Sequence, residues 1–232
     1  MNFFGTPIHI VDLTHTIHSS IPTWDGTCGF HSHVIKDYQD GCRVYQYEKF
    51  GGVGTHIDSP SHFIEKGRDV ASLTLQELIV PLCIIDISHK IHPDYLLSAD
   101  DVSTFEKKYG KIGPNSLVVA YTGWDAKWGS QEYRNVDEKG EMHFPGFSIA
   151  AAEILLERDV AGVGIDTLSP DGGDATHFLV HHLILGNDKY IIENLTGLKS
   201  QPKVGGYAIC LPEKIQHGSE ASARVVGLFP LG

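Results

Sequence analysis

The stretch Gly54-Thr55-His56-Ile57-Asp58-Ser59-Pro60-Ser61-His62-Phe63 holds two imidazoles and one carboxylate within seven residues. Pro60 lacks a backbone N–H and keeps Ser59 out of the helical region, so the stretch is expected to be extended or loop-like. In an extended chain, side chains two residues apart share a face, which places His56 beside Asp58. Neutral imidazoles with a carboxylate suit zinc, manganese or iron(II). The alternative is three polar surface residues in a Gly-, Ser- and Pro-rich loop, but the rigid backbone favours a metal site.

Length and composition indicate a folded protein with a sizeable core. The chain has 232 residues, of which 41% are hydrophobic and 20% are charged. Its net charge of -11 argues against nucleic acid or an anionic membrane as a partner. No apolar run reaches the roughly 20 residues of a membrane span, and residues 1–12 lack the pattern of a signal peptide. The 4 cysteines form no CxxC pair, so neither a disulfide framework nor a cysteine zinc site is expected, and a cytoplasmic location is predicted.

Short apolar runs bounded by Gly, Pro, Asp or Ser predict buried strands. These runs are residues 82–87, 117–121, 160–165, 190–192 and 207–211, and the alternating segment 44–50 predicts a half-exposed strand. Three helices have start signals: a capping box at Thr74, a cap at Ser98 for a helix ending at Tyr109, and Ser148 before 149–158. The pattern predicts one mixed α/β layered domain over residues 1–232 rather than a strict βαβ repeat. Segment 127–144 is expected to be a long surface loop.

A second group of polar residues could complete the same site. Asp166 follows an apolar strand, where functional groups often lie in α/β sheets. Residues 178–185 could form a short helix, on which His181 and His182 would point in different directions, so at most one of them would serve the site. Glu193 follows an apolar run and is costly to bury unless it is paired or metal-bound. A salt bridge to Lys189 or Arg158 is the alternative, but beside a His-x-Asp motif a metal role is favoured.

These residues resemble the metal-dependent cyclase superfamily, which includes bacterial kynurenine formamidase and isatin hydrolase. The family motif His-x-Gly-Thr-His-x-Asp-x-Pro-x-His matches residues 52–62, except that Gly52 stands in place of the first histidine. The resemblance continues through Asp12-Leu13-Thr14-His15, Thr122-Gly123-Trp124, Gly164 to Ser169, His181, Glu193-Asn194-Leu195 and the segment 218–224. It implies a swivelling β/β/α fold, usually in a homodimer or homotetramer, whose neighbouring subunit can contribute to the pocket.

The resemblance also implies the roles of individual residues. His56, Asp58, His62 and Glu193 match metal-ligand positions, and His181 matches a histidine that is a ligand or a general acid/base. Catalytic roles fall to His181, His62 and Asp58. Because Gly52 offers no ligand, one divalent ion, Mn²⁺ or Zn²⁺, is expected rather than two. The implied activity is hydrolysis of an amide or lactam C–N bond in a small cyclic or aromatic substrate by metal-activated water.

The remaining site predictions concern the pocket walls and the support of the histidines. Trp24, Phe30, Phe63 and Trp124 are candidates to contact a planar substrate, although aromatic residues are more often part of a core. Ser169 and Asp171 could hold His181 in position, and Thr55 is interpreted as a hydroxyl that orders its loop. No Gly-x-Ser-x-Gly elbow and no phosphate-binding glycine loop is present. A lactone hydrolase or cyclase on the same scaffold, and a non-catalytic metal- or ligand-binding protein, are the alternatives.

Overall fold

The computed structural model describes residues 2–3, 5–90 and 92–231, so the ends of the predicted domain, Met1 and Gly232, lie outside the described residues. The strands are β1 Asn2–Phe3, β2 Thr6–Asp12, β3 Phe30–Lys36, β4 Val44–Lys49, β5 His56–Asp58, β6 Ile79–Asp86, β7 Leu96–Leu97, β8 Leu117–Tyr121, β9 Gly146–Phe147, β10 Gly162–Ile165, β11 Tyr190–Glu193, β12 Gly206–Pro212 and β13 Glu220–Pro230. The α-helices are α1 Leu75–Leu78, α2 Ala99–Tyr109, α3 Ile149–Glu157 and α4 Leu179–Gly186. Short 3₁₀ helices cover Tyr38–Asp40, Pro60–His62, Val70–Ser72, Trp124–Lys127 and Gln131–Tyr133.

A 9-stranded mixed sheet forms the frame, in the order β1-β2-β13-β12-β6-β8-β10-β11-β5. The long strand β13 pairs with β12 and β2, and its first residues also pair with β5 at the other end of the order. This last pairing closes the sheet into a barrel-like form. The predicted mixed α/β class is therefore confirmed, and short β5 lies between β11 and β13.

The middle of the sheet is more regular than the sequence analysis predicts. Strands β6, β8, β10 and β11 are parallel neighbours. The helices α2, α3 and α4 connect them in turn. These are three consecutive βαβ units, so the prediction of a layered domain without such a repeat is wrong for this part. The carboxyl ends of the four strands meet at one edge, where polar groups of α/β sites commonly lie.

Both faces of the parallel strands are covered, which explains their continuous apolar sequences. On β6, Leu82 and Ile84 belong to the core cluster inside the sheet, whereas Cys83 and Ile85 belong to the cluster shared with the helices. The same alternation continues on β8 with Leu117 and Val118. The predicted strands are therefore confirmed, with end points that differ by a few residues, but the run 207–211 is not buried throughout, because Tyr207 and Leu211 of β12 are exposed.

The three predicted helix starts are confirmed by their capping contacts. Thr74 and Glu77 form the capping box of α1, and Ser98 with Asp101 forms that of α2. The Ser148 side chain accepts a hydrogen bond from the Ala151 N–H at the start of α3. Each cap satisfies a backbone N–H that has no partner inside its helix.

Two expectations about exposure need correction. Within the described part of the chain, strand β4 pairs with β3 alone, in a two-stranded hairpin outside the main sheet, so most of it is exposed rather than half-buried. Segment 127–144 is not simply a surface loop, because Tyr133 and Phe144 are fully buried with Trp124 and Leu168 in a third core cluster. Among the helices of the described ranges, none has the length and apolar character needed to cross a membrane.

Candidate metal centre

Strand pairing assembles the candidate site. In the antiparallel pair of β5 and β11, His56 lies opposite Glu193, and in the pair of β5 and β13, Asp58 lies opposite Glu220. Residues directly opposite one another in antiparallel strands bring their side chains close together. The turn after β5 and helix α4 then add His62 and His181. Five chain segments thus converge on one small volume.

Two buried carboxylates lie between the two buried imidazoles. Asp58 has one oxygen 3.4 Å from His56 Nε2 and the other 3.6 Å from His181 Nε2. Glu193 repeats the arrangement, with oxygens 3.3 Å from His56 Nε2 and 3.2 Å from His181 Nε2. Ligand atoms around a tetrahedral zinc with bonds of about 2.1 Å are roughly 3.4 Å apart. The spacing of these donors therefore matches that of metal ligands.

The far nitrogen of each imidazole is held by another group. His56 Nδ1 donates to the Gly54 carbonyl at 2.8 Å, because a carbonyl can only accept. His181 Nδ1 lies 2.6 Å from an Asp171 oxygen. Asp171 also accepts hydrogen bonds from the Val180 and His181 N–H groups, while its own N–H donates to Ser169. Both Nε2 atoms are thereby directed at the carboxylates, as in metal-binding histidines. Asp171 and Ser169 lie where the sequence predicts them.

The electrostatics of the site call for a cation. Both carboxylate oxygens of Asp58 are buried and lack a hydrogen-bond partner among the described residues. Burial alone would lower the pKa of His56, but the charges of Asp58 and Glu193 raise it to about 10. Burial likewise opposes protonation of His181, yet Asp171, Asp58 and Glu193 hold its pKa well above the usual value. A buried carboxylate that accepts no hydrogen bond is costly, and in the metal-free chain the raised pKa values let protonated His56 and His181 offset its charge. A divalent metal ion would supply that positive charge to neutral imidazoles, so these residues fit such an ion.

The remaining predicted ligand, His62, lies at the edge of this cluster. A ring nitrogen of His62 lies within 4.8 Å of donor atoms of both Asp58 and His181, so the three residues could share an ion. The His62 side chain is 30% exposed, and its Nδ1 is 3.6 Å from a Glu220 oxygen. Two overlapping donor sets therefore share Asp58: one with His62 and His181, and one with His56 and Glu220.

The alternative interpretation of Glu193 is excluded by its surroundings. Lys189 pairs with Asp159, and Arg158 pairs with Glu106. Glu193 contacts His56 and His181 instead. Of the two adjacent histidines on α4, His181 is buried in the site and His182 is exposed, as the helical prediction requires.

Thr55 and Asn194 tie the histidine loop to the end of β11. The Thr55 hydroxyl donates to the Asn194 carbonyl at 2.6 Å and accepts from the His15 N–H at 2.9 Å. The Asn194 amide donates to the Gly54 carbonyl, and the buried Tyr133 hydroxyl donates to the Asn194 side-chain oxygen. Thr55 therefore lies where a loop-ordering hydroxyl is expected. The supporting role of Asn194 has no signal in the sequence beyond its position after Glu193.

An open cavity of about 370 Å³ lies against the donor cluster. Its aromatic walls come from Trp24, Phe50, Phe63 and Phe178, and the histidines His56, His62 and His181 reach it from one side. The Phe63 ring stacks on the His181 ring at 4.6 Å, and Phe178 makes an edge contact with Trp24 at 5.5 Å. A pocket with apolar walls and few convergent polar groups is typical of a small-molecule site.

Two of the four predicted substrate contacts lie elsewhere. Trp124 is buried in the third core cluster, and its indole N–H donates to the Tyr133 carbonyl. Phe30 stacks on Tyr47 in the exposed hairpin. Neither lines the cavity. Phe50 and Phe178, which the sequence analysis does not name as substrate contacts, line it instead. Phe178 has a φ of 48°, which is unusual for a bulky residue and marks a backbone held by its surroundings.

Comparison with known proteins gives the same family. Residues 11–172 match the Cyclase family, described as "Putative cyclase". The chain is 34% identical to isatin hydrolase of Roseibium aggregatum over 189 residues, which are 76% of this chain and 71% of the relative. It is 25% identical to kynurenine formamidase of Bacillus anthracis over 188 residues, 80% of this chain and 81% of the relative.

The fold agrees with these matches. A crystal structure of an isatin hydrolase bound to the product analogue thioisatinate superposes with a TM-score of 0.90 at 28% identity, covering 97% of this chain and 93% of that one. Family match, sequence identity and fold all cover most of the chain. The protein is therefore a metal-dependent hydrolase that belongs to the cyclase family.

Proposed function

We propose that the protein hydrolyses the C–N bond of an amide or lactam in a small cyclic or aromatic substrate. The observation that carries this proposal is the buried carboxylate of Asp58, which accepts no hydrogen bond from the described residues and lies between two oriented imidazoles near an aromatic cavity. A cavity of about 370 Å³ accommodates a ligand of one or two fused rings. The similarity to isatin hydrolase and kynurenine formamidase supports the same bond type.

His56, Asp58 and Glu193 are proposed to hold the ion, which is Mn²⁺ or Zn²⁺. Imidazole and carboxylate donors suit both metals. When bound, a divalent ion supplies a Lewis acid that polarises a carbonyl and lowers the pKa of water from about 16 toward about 7. The chain contributes the shape of the pocket: Trp24, Phe63 and Phe178 form flat walls against which a ring can lie with its carbonyl toward His56. The main contribution of these aromatic residues is therefore to orient the substrate ring.

His181 is proposed to transfer the proton to the leaving nitrogen. Asp171 fixes its Nδ1 at 2.6 Å and stabilises the imidazolium, which leaves Nε2, 3.2 Å from a Glu193 oxygen, as the nitrogen that transfers the proton. This is the arrangement in which a buried carboxylate supports a general acid/base histidine. His62, which is more exposed and lies beside the same cavity, can exchange the proton with solvent.

Loading the metal-free protein with Mn²⁺ or Zn²⁺ tests the function. We expect near-stoichiometric metal and metal-dependent hydrolysis of isatin, of an N-formyl amide, or of both. Asp58→Asn should lose both properties, because the orphaned charge that needs the cation is gone. The matched control is His182→Ala, the exposed neighbour of His181. A lactone of matching ring size in the same substrate panel separates the alternative activity, and absence of metal after loading with either ion would contradict the proposal.

The oligomer and the cellular location are further parts of the proposal. A homodimer or homotetramer is supported by the hairpin of β3 and β4, whose apolar side chains are exposed in one chain. A two-stranded hairpin is marginally stable unless something packs on it. A cytoplasmic location is supported by the free thiols of the exposed Cys28 and Cys42, which persist most readily in a reducing compartment.

A further inference from the structure

Glu220 lies where the family motif has a histidine that this chain lacks. A Cβ atom added to Gly52 would lie 2.8 Å from a Glu220 carboxylate oxygen and 3.2 Å from His56 Nε2. A Cβ added to Gly51 would lie 2.6 Å from Glu220 Cγ. The two glycines therefore leave the space that the Glu220 side chain fills. A residue with any side chain at position 52 would push Glu220 away from His56.

The position of Glu220 brings an additional negative charge to a site that is already anionic. Glu220 is the direct cross-strand partner of Asp58 in the β5–β13 pair. Like charges directly opposite one another destabilise a sheet, and neither Asp58 oxygen has a hydrogen-bond partner among the described residues. His62 Nδ1, at 3.6 Å, lies too far from Glu220 for a hydrogen bond. Such a pair is stable when a cation lies between its two carboxylates.

We propose that Glu220 is a metal ligand that replaces the missing histidine and joins the proposed ligands His56, Asp58 and Glu193 around the same ion. Donor atoms of His56, Asp58 and Glu220 lie within 4.8 Å of one another. Exchanging an imidazole for a carboxylate makes the ligand set harder and more anionic, which favours Mn²⁺ relative to a set with one more histidine. This inference rests on the proposed function in that both require a bound divalent ion.

Glu220→Gln tests the ligand role, with Mn²⁺ binding to the metal-free protein measured by calorimetry and electron paramagnetic resonance. Loss of a group that merely supports a ligand costs about 10- to 100-fold in metal affinity, so loss of a ligand should cost at least about 10-fold. The control is Glu213→Gln, whose exposed carboxylate pairs with Lys49 instead. The metal-free Glu220→Gln protein should melt no lower than wild type, whereas its gain in melting temperature on adding Mn²⁺ should be smaller.

A swap of ligands provides a second, independent measurement. Glu220→Ala removes the carboxylate and opens the space beside Gly52, and Gly52→His in that background returns the family's histidine. We expect the double variant to bind Mn²⁺ or Zn²⁺ more tightly than Glu220→Ala alone, with a shift in preference toward Zn²⁺. Wild-type protein that binds neither ion would refute the proposed function. Wild-type protein that binds tightly, with Glu220→Gln and Glu220→Ala binding equally well, would overturn only the role of Glu220.

Discussion

At the scale of single residues, His181 depends on a carboxylate that the substrate need not touch. Asp171 holds His181 Nδ1 and accepts two backbone N–H bonds from the first turn of α4. One oxygen contacts Nδ1 and the His181 N–H and the other accepts the Val180 N–H, so a single carboxylate fixes both the ring and the helix that carries it. Such a group is a positioning residue, and its removal should change the protonation behaviour of His181 more than the capacity for metal.

Asp171→Asn should lower kcat by about 10- to 100-fold. The two backbone N–H groups bond to different oxygens of Asp171, so the single amide oxygen of Asn can accept only one of these bonds. The neutral amide also no longer stabilises a charged imidazole. The measurement is the pH profile of kcat together with the metal content, and we expect the profile to shift while the metal content is retained. Asp159→Asn, at an exposed carboxylate paired with Lys189, is the control. An unchanged kcat and pH profile would refute the positioning role.

The sequence predicts residues of the candidate site where they are close together or carry a strong local pattern. His56 and Asp58 share a short extended stretch, and Glu193 is conspicuous because it ends an apolar run. Glu220 has no such signal, since it becomes a neighbour of Asp58 only when β13 closes the sheet against β5. The sequence likewise gives no local signal for Phe178, because its place in the cavity depends on an unusual backbone conformation.

At the scale of elements, the apolar strands, the alternating strand β4 and the capped helices follow from local sequence, whereas strands β2 and β13 do not. The β6 and β8 runs are apolar on both faces because helices and barrel interior cover them. Strands β2 and β13 mix polar and small residues and pair across the length of the chain. Their pairing is set by closure of the sheet, which no local pattern records.

The hairpin of β3 and β4 gives an element-scale prediction about assembly. Phe30, Val34, Tyr45 and Tyr47 share one face of it, because Tyr45 lies opposite Val34, and Phe30 stacks on Tyr47. Tyr47 is 62% exposed and Val34 47%. If a second copy of this chain covers that face, Tyr47→Ser should lower the apparent mass in light scattering after size-exclusion chromatography. Tyr207→Ser, at a 51% exposed tyrosine on β12, is the control, and a monomeric wild-type protein would contradict the prediction.

At the scale of the whole molecule, the half-buried His15 and the buried Asp166, both outside the metal cluster, act on stability in opposite directions. Burial, assisted by the nearby His18, lowers the pKa of His15 from 6.5 to about 4. Burial raises the pKa of Asp166 from 3.8 to about 7, against hydrogen bonds from Thr122 that favour its charged form. His15 stacks on Trp128 with ring centroids 3.7 Å apart. Each group links folding to pH because its pKa differs between the folded and unfolded chains.

Between pH 4 and 6.5 the unfolded chain protonates His15 and the folded chain does not, so this residue makes the free energy of unfolding rise with pH. Over nearly the same range the folded chain keeps a proton on Asp166 that the unfolded chain has lost, so the free energy of unfolding falls with pH. Each slope is about 1.4 kcal/mol per pH unit at its steepest, and the two largely cancel in the wild type.

Because the two contributions largely cancel in the wild type, substituting either residue should expose the pH dependence that the other gives to the free energy of unfolding. We expect the free energy of unfolding of Asp166→Asn, relative to wild type, to increase with pH between pH 4 and 7, because the opposing contribution is removed. His15→Phe, which keeps a ring on Trp128, should instead lose stability relative to wild type as pH rises from 4 to 6.5. Urea denaturation of the metal-free proteins at half-unit pH steps measures both differences. Since each is taken against wild type, titration of the metal-site histidines contributes equally to both proteins, and parallel curves for variant and wild type would show that these pKa values are not displaced by burial.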